Sequence, residues 1–146
     1  MFKIIDLKQF IPSEFCLGCH NCCRFKDKES VWTPFRIELT PYRDYFVCPN
    51  LNLETNLCRI YSERPFDCRL YPFLLNSRLD KVFLSVHLSC PFTRENLNKR
   101  SFKDYVSYLK DSLLKIKDSL SHFIYDYPAD EILELEILDE IVGIRR

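Results

Sequence analysis

"RLYPFLLNSRLDKVFLSVHLS", residues 69–89, holds two apolar runs on either side of the polar turn "NSRLD". In the second run Val82, Leu84, Val86 and Leu88 alternate with mostly more polar neighbours, the period of a β-strand with one buried face. The stretch therefore predicts a β-hairpin whose midpoint lies near Leu79. Cys68 and Cys90 stand just outside its two ends, so closing the hairpin would carry both sulfurs to the same open end. Neighbouring strands run about 4.8 Å apart, close enough for two thiolates to meet at one centre. The plainer alternative is a structural hairpin whose flanking cysteines only pack.

These two cysteines belong to a larger set. The 146 residues include eight cysteines, Cys16, Cys19, Cys22, Cys23, Cys48, Cys58, Cys68 and Cys90, and the last third of the chain has none. A disulfide framework is disfavoured, because the start "MFKIIDLKQFIPSEF" carries no export signal and a reducing cytoplasm keeps thiols reduced. Metal ligation is the stronger reading. In C-x2-C the two intervening residues turn the backbone so that both sulfurs converge on one ion. Here the unit repeats without a gap over Cys16, Cys19 and Cys22, as in ferredoxin-type loops where three close cysteines and one distant one hold a [4Fe-4S] cluster. Eight thiolates could equally fill two tetrahedral zinc sites.

Cys22 and Cys23 are adjacent, so in extended backbone one of them faces away from the first ion; it could bind a second metal, stay a reactive thiol beside Arg24 and Lys26, or pack. Cys48, Cys58 and Cys68 follow at ten-residue intervals. Asn50, Asn52, Thr55 and Asn56 mark a turn in the first interval, and Arg64-Pro65 interrupts the second. Pro follows both Cys48 and Cys90 and stiffens the chain just past the ligand. A thiolate-wrapped centre carries net negative charge, which Arg64 and Arg69 would offset while hydrogen-bonding to sulfur; alternatively they pair with Glu63 or Asp67 on the surface. His20 could tune the site from within the loop, whereas His87, on a predicted strand, and His122 read as ordinary partly buried or surface residues.

The joint pattern of "CLGCHNCC" (16–23), "CRIYSERPFDCRLYPF" (58–73) and a later "CP" (90–91) resembles the CxxCxxCC family, the YkgJ-type cysteine-cluster proteins described as zinc- or iron-chelating domains. The resemblance spans residues 14–92 and implies that all eight cysteines bind metal, with Arg64, Pro65 and Arg69 as an accompanying signature. A similar domain occurs within flagellin lysine N-methylases, which implies an enzymatic context, such as alkyl transfer, as one alternative. Many members carry glycine after the second cysteine. This chain has His20 there and Gly18 before Cys19, so a slightly different loop backbone is expected.

Past the cysteines, Phe102, Val106, Leu109, Leu113, Ile116, Leu120 and Phe123 recur in steps of four and three, which predicts an amphipathic helix over residues 95–124. Lys-Asp pairs at 103/104, 110/111 and 117/118 fall on its solvated side. Such a helix could bind a partner protein, although packing on its own domain is the simpler use. "YPADEILELEILDEIVG", residues 127–143, reads as a second helix with Pro128 in its first turn and Gly143 at its stop. Together these features predict one small α+β domain over residues 1–146: a cysteine-rich metal-binding region (14–92) with a β-hairpin, and bracing helices (93–146).

Composition narrows the function. The 21 basic and 21 acidic residues cancel, so neither nucleic acid nor an anionic membrane is an expected partner, and no apolar window is long enough to span a bilayer. Aromatics reach 14%, and without a basic stripe Phe46, Tyr61, Phe66, Tyr71 and Phe73 read as shielding around a metal centre. Gly-rich phosphate loops, nucleophile elbows and dinucleotide fingerprints are missing. The expected function is a cytoplasmic metal-binding protein holding an iron–sulfur cluster or zinc, in a structural or electron-transfer role. A metal-dependent enzyme and a zinc-stabilised adaptor that docks a partner through residues 95–124 are the alternatives.

Overall fold

The computed structural model describes residues 7–11, 24–25, 38–60, 63, 66–88, 90–126 and 130–138. The chain divides into two compact units, Ile11–Arg69 and Met1–Phe10 with Leu70–Arg146. Among the described residues, no helix is long and apolar enough to cross a membrane.

The described strands of Ile11–Arg69 are very short. β1 (Arg24–Phe25), β2 (Thr40–Tyr42) and β3 (Tyr45–Val47) form an antiparallel sheet with β3 in the centre. Arg43 turns β2 into β3 at φ 54, and its guanidinium lies 5.2 Å over the Tyr42 ring. β4 (Leu51–Asn52) and β5 (Leu57–Cys58) make a second hairpin. Asn52 holds its loop: the side-chain carbonyl accepts the Glu54 and Thr55 amides at 3.0 and 3.3 Å, and the backbone carbonyl accepts the Asn56 amide at 2.8 Å. Asn56 sits at φ 59, a left-handed conformation that asparagine tolerates better than most residues. The short helix α1 (Phe66–Leu70) follows, with Phe66 and Leu70 buried four residues apart on one face.

In the other unit the hairpin forms where the alternation places it. β6 (Phe73–Arg78) and β7 (Lys81–His87) pair in a continuous antiparallel register from Phe73 with Val86 to Arg78 with Lys81. Leu79 and Asp80 both take positive φ, 53 and 64°, as in the two-residue turns whose twist matches that of the strands. Phe73, Leu75, Leu84 and Val86 share one face. Helix α2 (Pro91–Asn96) leads to α3 (Arg100–Leu114), whose buried residues Phe102, Val106, Leu109 and Leu113 follow the helical period. Phe102 stacks on Phe73 with ring centroids 5.7 Å apart, which puts α3 on that face of the sheet.

Phe10 completes this core edge-on to Phe73, Phe92 and Phe102. The preceding residue segment is tied to α3 as well: the Lys8 amide donates to the Tyr108 hydroxyl at 2.9 Å, and the Tyr105 hydroxyl donates to the Lys8 carbonyl. Burial raises the Tyr105 pKa well above the ordinary phenol value, so its hydroxyl stays a donor at any physiological pH. Of these rings Phe73 and Phe102 are buried, and each contributes roughly 1.5–3 kcal/mol.

Two helical expectations need correction. The helix predicted over 95–124 is interrupted: α3 ends at Leu114, 3-10 turns occupy Lys117–Ser119 and Ser121–Phe123, and Ile124–Tyr125 is strand β8, parallel to β6. Asp118, Ser119 and Ser121 favour local turns over helix continuation, and the tighter turns still bury Leu120. The helix predicted over 127–143 is, in its described part, strand β9 (Ile132–Ile137) along the outer edge of β7. The alternation Leu133-Glu134-Leu135-Glu136-Ile137 is a strand period, and the β7 edge supplies backbone partners that a helix would have left unused. Sheet order is β8-β6-β7-β9.

An irregularity in β9 assigns its two acids different tasks. Ser85 lies opposite Glu134 and Leu84 opposite Glu136, so Leu135 is an extra residue that flips the alternation. Glu136 thereby reaches the helix side, 3.5 Å from Lys110 Nζ. Glu134 stays on the other face, where it accepts from Asn76 Nδ2 at 3.1 Å and from Arg78 Nη2 at 2.7 Å. Asn76 is buried and accepts the Ser85 hydroxyl in turn.

The Arg78 hydrogen bond holds the Glu134 carboxyl below its ordinary value of 4.5. A depressed acid stabilises the fold above its unfolded pKa and loses that contribution as pH falls through the folded value. Glu134→Ala is expected to lower stability by about 1–3 kcal/mol by orphaning the buried Asn76 amide. Glu134→Gln, which keeps an acceptor, should cost less, and in both variants the acid limb below about pH 4.5 should flatten in urea titrations. An unchanged acid limb in both would remove Glu134 from the account.

Candidate metal centre

Strand pairing gathers the flanks of distant cysteines within Ile11–Arg69. Arg24, the residue after Cys23, pairs with Val47, the residue before Cys48. The Cys48 carbonyl then accepts the Leu51 amide at 3.0 Å, closing a turn over Pro49-Asn50, and Leu51 pairs with Cys58 across the β4–β5 hairpin. Arg24 Nη1 also donates to Asn56 Oδ1 at 2.9 Å, joining the segment after Cys23 to the loop before Cys58. The polar turn read between Cys48 and Cys58 is thus a hairpin that returns the chain to its start. Cys16, Cys19, Cys22, Cys23, His20, Arg64 and Pro65 lie outside the described residues.

Cys68 sits inside α1 rather than on an extension of the hairpin arm, and Arg69 beside it is half-buried in the last turn. Cys90 precedes α2 as its N-cap in extended conformation, with Pro91 starting the helix. Pro at this position needs no amide partner and presets the helical φ. Cys48 and Cys90 are buried, and Cys58 and Cys68 half-buried. Among the described residues, no three His, Cys, Asp or Glu side chains are grouped to hold a metal ion.

The open end of the β6–β7 hairpin is closed by polar contacts. The Pro72 carbonyl accepts the His87 amide at 2.8 Å, and the Tyr71 hydroxyl lies 2.9 Å from His87 Nδ1. His87 Nε2 faces Glu131 at 4.0 Å. Burial lowers the His87 pKa, with Glu131 opposing, so the imidazole is neutral at pH 7. Both ring nitrogens face protein groups, in keeping with the structural reading of this histidine. Phe73, grouped by sequence with the aromatics around the cysteines, stacks in the core against Phe102.

Sequence spacing does not single out Thr93. It is fully buried, and among the described residues its hydroxyl has no hydrogen-bond partner. The signal that finds it is its place three residues after Cys90, at the third position of α2.

The donor chemistry fits a soft or borderline metal. Thiolates select zinc and iron–sulfur centres, whereas magnesium and calcium require oxygen ligands. The profile of the CxxCxxCC family, described as a "Putative zinc- or iron-chelating domain", matches residues 15–91, more than half of the chain. The chain belongs to this family, which assigns it metal chelation in general terms. Comparison with curated proteins and with solved structures finds no match.

Proposed function

We propose that the protein holds an iron–sulfur cluster, or failing that zinc, on thiolates drawn from Cys16, Cys19, Cys22, Cys23, Cys48, Cys58, Cys68 and Cys90, and serves a structural or electron-transfer role in the cytoplasm. The observation that carries this reading is the pairing of Arg24 with Val47 and of Leu51 with Cys58. It returns three cysteine-bearing segments, far apart in sequence, to one small sheet-and-turn scaffold. The gapless run of Cys16, Cys19 and Cys22 favours the cluster over zinc, because three thiolates on one loop suit three corners of a cube. Arg69, and Arg64 by its place in the family signature, would offset the negative charge of the thiolate-bound centre.

Purification of the full chain without oxygen tests the metal. The expected product is brown, with broad visible absorbance and iron matched by acid-labile sulfide. Colourless protein with stoichiometric zinc would overturn the iron assignment and leave thiolate chelation standing. Protein free of both metals would overturn the proposal.

A further inference from the structure

We propose that Arg24 is a positioning residue for the metal centre: its backbone holds the segment of Cys23 to that of Cys48, and its guanidinium ties the same segment to the hairpin of Cys58. The inference rests on the reading of these three cysteines as ligands. Arg24 directly follows Cys23 and pairs with Val47, the residue before Cys48. Its Nη1 donates to Asn56 Oδ1 at 2.9 Å, and Asn56 stands two residues before Cys58. One residue thus joins three segments that each carry a cysteine.

Backbone pairing alone would hold these segments weakly. β1 is two residues long and meets β3 only through Arg24 and Phe25, while β4 and β5 form a sheet of their own. Among the described residues no strand ladder joins the two sheets, and the Arg24 side chain spans from one to the other. Asn56 is fixed to receive it. Its backbone takes φ 59 and its amide donates to the Asn52 carbonyl at 2.8 Å, so the loop sets the point from which the side chain starts. A guanidinium carries donors alone, which selects the oxygen end of the Asn56 amide, and a hydrogen bond from a charged donor is stronger than a neutral one. The bond is part-buried, where water competes less well for both groups. Ligand segments held in place before the ion arrives lose less freedom when it binds, so this bond should show itself in metal affinity.

Arg24→Met removes the donors and keeps a long apolar stem. Asn56→Gly removes the acceptor and keeps a residue at ease with positive φ, whereas Asn56→Asp keeps the acceptor. In the full chain purified without oxygen, the iron or zinc it carries is challenged with increasing chelator. Arg24→Met and Asn56→Gly are each expected to surrender half their metal at about a ten- to a hundred-fold lower chelator concentration than the parent. The double variant should fall no further than the weaker single one, because both changes break the same bond. Asn56→Asp should follow the parent, and so should Arg43→Met at the exposed turn between β2 and β3. Parent-like retention in either Arg24→Met or Asn56→Gly would overturn the inference while chelation by the parent stood. So would additive losses in the double variant, loss in Asn56→Asp equal to that in Asn56→Gly, or an equal loss in Arg43→Met, which would reduce Arg24 to general support of the fold. A parent chain without metal would overturn both readings.

Discussion

Removal of the metal is expected to unfold Ile11–Arg69 and to spare the sheet of the other unit. In Ile11–Arg69 the described strands are two or three residues long, and the buried apolar side chains among the described residues are Ile11, Phe25, Leu39, Val47, Cys48, Leu51 and Phe66. Two-residue strands give few ladder bonds to offset the entropy of ordering their loops. The other unit buries Phe73, Leu75, Leu84, Leu109, Leu113, Leu120 and Leu138 almost completely, which is a self-sufficient core. Metal bound to thiolates would supply the difference, since structural zinc sites contribute an apparent binding free energy of roughly 10–16 kcal/mol near neutral pH. Hydrogen exchange before and after a strong chelator should show amides of β3 and β5 losing protection at least a hundred-fold. Those of β6 and β7 should keep theirs. Unchanged protection of β3 and β5 after complete metal loss would show that the metal does not hold this unit together.

Replacing either Cys68 or Cys90 by Ser is expected to abolish the same metal equivalent. The hairpin joins Pro72 to His87 by a 2.8 Å hydrogen bond, and each cysteine lies only three or four residues beyond that point. The sequence sets both cysteines just beyond the ends of one hairpin, which is the ground for expecting them to act together. Serine hydroxyls bind zinc and iron poorly at neutral pH, so each variant should lose one full equivalent and the double variant no more. Lys81→Ala, exposed at the start of β7, should retain all metal. Full metal content in both serine variants, or loss of different equivalents, would show that the hairpin does not organise a shared centre.

Legibility in the sequence followed the strength of local periodicity. Val82, Leu84 and Val86 alternate over enough residues to announce β7, and the helical spacing of Phe102, Val106, Leu109 and Leu113 announces α3. The sequence around β9 reads as a helix, and the structure makes it a strand. Its acids and the flanking Pro128 and Gly143 resemble helix punctuation, and the decision between periods came from the unsatisfied β7 edge, a tertiary fact. The extra Leu135 hid the pattern further, because it sends Glu134 and Glu136 to opposite faces of what would otherwise be one strand face. The pairs Arg24–Val47 and Leu51–Cys58 involve strands too short for any periodic signal, although the asparagines at 50, 52 and 56 did mark the turn between Cys48 and Cys58. Thr93 was silent because its significance is burial without a partner, which no residue type reveals.

The two-residue turn at Leu79-Asp80 bears on effective concentration. An ion that recruits two thiols from a floppy chain must also close the loop between them. With the hairpin formed, the loop left to close between Cys68 and Cys90 shrinks from about twenty residues to about seven, which lowers the closure cost by about 1 kcal/mol. If Cys68 and Cys90 bind one ion, the second thiol would meet an ion held by the first at about a fivefold higher local concentration. Substitutions that weaken the turn would then act on metal uptake through this concentration.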